Sequence, residues 1–199
     1  MLIDIGGWMY GFFGPYGGWG VLLCIMLIFL IDALVFPTLP ELFFVIGFMY
    51  NPTPIFGLEL LFVAAIGELI GITALYFVVE KIRIPVKIKN IADRYVNFLV
   101  VSDERILLVN RVAPMIPFAG AFISIIDSWK LSRALFYIVL GCFLKYGVIL
   151  LMSGFFYAYF SGEAAQTYTI IFVFAVIIVS FIASFLKKKK KLPEEKVID

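Results

Sequence analysis

The chain has 199 residues, of which 63% are hydrophobic and only 15% charged. Soluble domains run near half apolar and a quarter charged, so an aqueous core is excluded for so short a chain and lipid is the expected solvent. The net charge of +2 is uninformative, but histidine is absent, which removes the commonest catalytic base and metal ligand.

Residues 1–18 are rich in glycine and aromatics (Trp8, Tyr10, Phe12, Phe13, Tyr16) and carry no Lys or Arg. They read as an interfacial segment rather than a signal peptide, since aromatic rings favour the headgroup region. The first spanning helix is predicted from Trp19 to Val35, because about 20 mostly apolar residues cross a bilayer. Phe36 to Tyr50 follows and begins Phe-Pro-Thr-Leu-Pro-Glu. Proline breaks a helix, and broken backbone at membrane depth is tolerated only inside protein or along a wet cavity. This stretch therefore reads as a re-entrant hairpin turning at Pro37 and Pro40; the alternative is a kinked spanning helix. Asn51-Pro52-Thr53 is no glycosylation acceptor, because proline occupies its middle position.

The second span is predicted from Ile55 to Val79. Residues 81–105 alternate charged and apolar side chains, as an amphipathic linker on the cytoplasmic surface would. Ile106 to Ile126 repeats the earlier anomaly: Arg111-Val-Ala-Pro114-Met-Ile-Pro117 sits in an apolar run, which reads as a second re-entrant hairpin. Ala134 to Phe160 and Tyr168 to Leu186 are the third and fourth predicted spans. Residues 187–199 form a basic tail opening with five lysines. Cys24 and Cys142 lie inside apolar runs and read as small buried hydrophobes. No cofactor, metal or nucleic acid is expected.

Basic residues set orientation. None precedes Lys81; fourteen of the sixteen fall in 81–105, at Lys130 and Arg133, or after the last span. Four spans and two hairpins opening to opposite faces put all three groups in the cytoplasm, together with both chain ends. The expected fold class is thus an all-α integral membrane protein, with about four transmembrane helices and two oppositely oriented re-entrant hairpins, in the plasma membrane. Residues 19–186 form its single transmembrane domain.

The two hairpins also align. Pro37 matches Pro114, Pro40 matches Pro117, and Glu68 then falls opposite Lys145, each 31 residues after the first proline of its half. An inverted repeat with binding between broken helices is the plan of many secondary transporters.

Asp32, Glu41, Glu68, Arg111 and Lys145 lie within or beside apolar segments. A charge at bilayer depth costs about 2.5–3.5 kcal/mol on insertion scales, so these groups must pair, neutralise or line a wet cavity. A structural pairing of Glu68 with Lys145 is one expectation. Asp32 reads equally well as interfacial, and Asp127, beside Trp129 and Lys130, as a surface residue. Arg111 offers a planar fork suited to phosphate oxygens, and Lys145 a second, point-like cation. Together they suit an anionic phosphate head group. Burial favours the neutral form of a carboxyl group, so Glu41 and Glu68 are the candidates for taking up and releasing protons. No nucleophile–base pair is visible, and an enzyme is not expected.

These residues resemble a family. Phe36-Pro37-Thr-Leu-Pro40-Glu41-Leu is similar to the first proline-rich hairpin of DedA (VTT, or SNARE-associated Golgi) membrane proteins. Gly67-Glu68-Leu-Ile-Gly71 with Tyr76, Arg111-Val-Ala-Pro114 with Ala119-Gly120, and Gly141 with its aromatic-rich helix are similar to later motifs of that family. The resemblance covers roughly residues 20 to 160. It implies movement of polyprenyl phosphates or phospholipids between leaflets, coupled to protons or sodium, with Glu41, Glu68 and Arg111 at functional positions. The family's second arginine stands three residues after the proline, where this chain has Pro117. A tryptophan commonly follows the glycine of the next helix, about where this chain has Lys145, which is expected to supply the second cation. The expected function is a flippase for a phosphate-bearing lipid. The alternatives are a cation–proton antiporter built on the same carboxylates and a non-transporting membrane assembly protein. Homo-oligomerisation stays open.

Overall fold

The computed structural model describes residues 7, 11–34, 39–82, 84–85, 88–92, 103–112, 116, 118–160 and 162–190. Every regular element among them is helical. In chain order these are α1 (Gly17–Leu34), α2 (Pro40–Tyr50), α3 (Pro54–Lys81), α4 (Ile106–Val112), α5 (Ala119–Ile125), α6 (Leu131–Tyr159) and α7 (Gly162–Lys190). A 3-10 turn, Gly14–Tyr16, leads into α1, and residues 88–92 form a short helical segment.

Among the described residues, three helices are long and apolar enough to cross a membrane: Gly11–Leu34, Pro54–Lys81 and Leu131–Tyr159. They overlap the first three predicted spans, but the first begins at Gly11, eight residues before Trp19 and within the segment expected to be interfacial. The fourth predicted span falls on α7, of which Thr167–Val179 is apolar. Ile106 to Ile126 is broken, as its prolines demand, into α4 and α5. Phe36 to Tyr50 holds one uninterrupted helix from Pro40 onward. Pro37, Pro114 and Pro117 lie outside the described residues, and so does the basic tail beyond Lys190.

Local chemistry sets the helix ends. Pro40 and Pro54 open α2 and α3, where a missing N–H costs nothing and φ is already helical. Thr53 caps α3 by accepting from the Phe56 N–H at 3.4 Å. The start of α6 is held from a distance: the Lys130 N–H donates to Glu104 Oε1 at 2.8 Å, and Glu104 is buried there. A carboxylate at a helix N-terminus also meets the positive end of the helix dipole.

Small residues bring the long helices together. A Cβ at Gly71 would lie 2.7 Å from the Leu30 carbonyl oxygen and 2.8 Å from the Ala33 Cβ, and Gly67 meets the Met26 carbonyl more tightly still. This Gly-x-x-x-Gly stripe makes α1 and α3 the most extensive helix pair. Gly120 lets α5 settle on α3 between Ile72 and Tyr76.

Two apolar cores result. One gathers Ile25 and Phe29 of α1, Phe44 of α2, Leu60 and Ala64 of α3, and Tyr146 and Ile149 of α6. The other gathers Ile72 of α3, Ile106 and Leu107 of α4, Ile123 of α5 and Ile138 of α6. Along α3 the first core ends at Ala65 and the second starts at Ile72, with Glu68 between them. Outward faces stay apolar, as at Phe62, Ile66 and Ile70 of α3 and Leu144, Val148 and Leu151 of α6. Surfaces of this kind suit a hydrocarbon solvent.

Candidate functional site

Four helices each contribute one ionisable side chain that is largely withdrawn from solvent. Glu41 lies in the first turn of α2 and Arg111 in the last turn of α4. Those are the favourable ends for an anion and a cation in the helix dipole. Glu68 projects from the middle of α3 and Lys145 from the middle of α6.

The groups form two ion pairs. Arg111 Nη2 pairs with Glu68 Oε1, and Lys145 Nζ pairs with Glu41 Oε1. The expected pairing of Glu68 with Lys145 is overturned. Each charge on a long helix meets a charge from the other half of the chain, because the α4 stem reaches across α6 to α3. Both pairs are largely removed from solvent; the Glu68 side chain is 5% exposed and the Lys145 side chain 16%.

Arg111 has to cross α6 to reach Glu68, and Gly141 makes room for it. A Cβ at Gly141 would stand 2.6 Å from Arg111 Cγ. The contact is one-armed: Arg111 Nε and Glu68 Oε2 are buried without hydrogen-bond partners among the described residues. A buried polar atom left in this state marks spare capacity for a ligand or an ordered water.

The surroundings of Lys145 are aromatic. Its Nζ lies 5.7 Å from the centroid of the Tyr146 ring, within cation–π range. Tyr146 is buried between Phe29, edge-on at 4.9 Å, and Phe44, tilted at 5.1 Å. Asp32 lies near the C-terminal end of α1. Asp127, predicted at the surface, is 83% exposed and pairs with Lys89 at 3.1 Å.

Set against protein-family models, curated proteins and solved structures, the chain matches none.

Tyr146 and Asn110 were not singled out by their sequence. Asn110, the neighbour of Arg111, accepts from the Ile116 N–H at 2.7 Å and donates to the Ile116 carbonyl at 3.2 Å. Its amide thus pairs with both backbone groups of Ile116 and closes the break between α4 and α5. Phe118, on the far side of the break, has φ 51°, a left-handed backbone that costs a non-glycine residue about 1–3 kcal/mol. Asparagine among aliphatic residues was the available signal: a buried amide needs partners. Chemically, the site can hold two cations apart from water and release them from their carboxylates when another anion competes.

Proposed function

We propose that this chain is a membrane transporter, a flippase that moves a phosphate-bearing lipid between leaflets with proton coupling. Arg111 and Lys145 bind the head group, a polyprenyl phosphate or a phospholipid. Glu41 and Glu68 give up these cations to the incoming phosphate and take protons in exchange. The reading includes a DedA-like plan: α7 as a fourth span, two opposed re-entrant hairpins forming an inverted repeat, both termini cytoplasmic, and residence in the plasma membrane.

The observation that carries it is the crossed pairing of Glu68 with Arg111 and Glu41 with Lys145. Purely structural charges in an apolar protein are costly, and well-packed apolar residues would often serve stability as well. Two pairs that each tie a long helix to the other half's short helix are placed to hold one arrangement of the halves and to release it when a competing anion arrives. The order helix, break, short helix, long helix recurs in α1–α3 and in α4–α6, which supports the repeat. Asn110 folding the chain back onto Ile116 supports a re-entrant second hairpin.

The test is reconstitution in liposomes. Leaflet exchange of labelled polyprenyl phosphate and of labelled phospholipid is measured with and without a pH gradient. Exchange of one of them, accelerated by the gradient and lost in Arg111→Met, is the expected result. No exchange of either lipid overturns the proposal.

A further inference from the structure

A cavity of about 520 Å³ opens beside the ion pairs, where α4, α6 and α7 meet. Its size falls within the roughly 300–1,000 Å³ of small-molecule sites. Its surface is almost wholly apolar. Leu108 of α4, Leu144 and Val148 of α6 and Val176 of α7 line it, and among the described residues Arg111 and Lys145 are its charged side chains, contributing mainly their aliphatic stems. Their partners Glu41 and Glu68 do not line it. The charged ends of Arg111 and Lys145, held by Glu68 and Glu41, therefore sit at the margin of an apolar groove.

Leu144 and Val148 are more than half exposed on the outer face of α6, so the apolar wall continues onto the surface that meets lipid. An occupant of matching chemistry has one anionic end and one long apolar end. A soluble anion would leave the apolar wall unused, and a neutral lipid would offer nothing to draw the two cations from Glu68 and Glu41.

We infer that this groove holds the hydrocarbon tail of a lipid phosphate, which enters sideways from the bilayer between α6 and α7 with its phosphate against Arg111 and Lys145. The inference rests on the head-group reading proposed above and adds the location of the tail and the route of entry. The tail needs no aqueous path, because it stays in contact with hydrocarbon while the head group meets the charges.

The test uses purified full-length protein in detergent, with hexadecyl phosphate and butyl phosphate as probes and hexadecyltrimethylammonium as the charge-reversed control. Val148→Trp and, from the facing wall, Val176→Trp fill the groove without removing either cation. Either variant that keeps its thermal transition and monodispersity serves. The expected result is that wild type binds both phosphates, hexadecyl phosphate the more tightly. The tryptophan variants should then lose about tenfold or more for hexadecyl phosphate, some 1.4 kcal/mol, and keep butyl phosphate. Unchanged hexadecyl phosphate affinity in the variants, with binding lost in Arg111→Met, overturns the tail site and leaves the head-group reading standing. Failure of both phosphates to bind wild type overturns the head-group reading and this inference with it. Equal binding of the cationic control shows ordinary lipid-facing surface and also overturns the inference. Should neither tryptophan variant fold, a hexadecyl phosphate carrying a photoreactive tail decides: cross-links at Leu144, Val148 or Val176 support the site, and cross-links confined elsewhere overturn it.

Discussion

Lys145 reaches back 104 positions along the chain to pair with Glu41, tying the middle of α6 to the first turn of α2. The Glu68–Arg111 pair makes the reciprocal tie between α3 and α4. Each pair keeps a buried charge compensated, so the two members of a pair should behave as one unit in mutation.

Removing one member of a buried pair costs about 3–5 kcal/mol, because the survivor stays buried and uncompensated. Lys145→Met and Glu41→Gln should each lower the melting temperature in detergent by several degrees. The double variant should be clearly less destabilised than the sum of the two. A strictly additive cycle would show that the two groups do not interact in the folded protein.

Arg111→Lys keeps the charge but loses the planar fork. It should retain the tie to Glu68 well enough to fold, while leaflet exchange falls. Arg111→Met should cost more, since truncating one side of a buried charged contact typically costs about 2–5 kcal/mol, or more than roughly tenfold in affinity. Exchange rates in liposomes rank the three proteins, and equal rates for wild type and Arg111→Met would refute a head-group role.

Gly141→Ala places a methyl 2.6 Å from Arg111 Cγ and must displace the guanidinium stem. Gly147, also in α6, has nothing within 4 Å of the same added methyl. Alanine there should be silent or stabilise by roughly 0.5–1 kcal/mol, the usual gain over glycine inside a helix. Transport should therefore fall in Gly141→Ala and persist in Gly147→Ala, with both proteins folded.

Asn110→Leu releases both backbone groups of Ile116. Each buried group left unsatisfied costs about 1–3 kcal/mol. The variant should exchange the Ile116 amide proton faster and lose melting temperature. Unchanged protection at Ile116 in hydrogen-exchange mass spectrometry would show that the break is held by other contacts.

The legible part of the fold was the part written in local composition. Apolar run length located α1, α3 and α6 to within a few residues of their ends. The proline-rich interruption of Ile106 to Ile126 anticipated the break between α4 and α5. The members of the site were legible too, because a charge inside an apolar run is conspicuous whatever the fold. Glu41, Glu68, Arg111 and Lys145 all enter buried ion pairs. Their partners were not legible. Matching positions in two aligned halves suggested Glu68 with Lys145, but alignment along the chain does not say which faces of the helices turn toward each other.

Glu104 illustrates the same limit. By sequence it belongs to a charged linker, yet it is buried and holds the start of α6. Gly141 read only as part of a family motif, until the stem of Arg111 was found lying across it. The sequence by itself determined the apolar character, the lengths of α1, α3 and α6, the place of one break and the identity of the buried charges, since each depends on residues that are neighbours in the chain. Only the tertiary structure decided which charge meets which and which side chains line the groove beside them. Those depend on the rotation of each helix about its axis, which the close approach of α1 to α3 at Gly67 and Gly71 and of Arg111 to Gly141 sets.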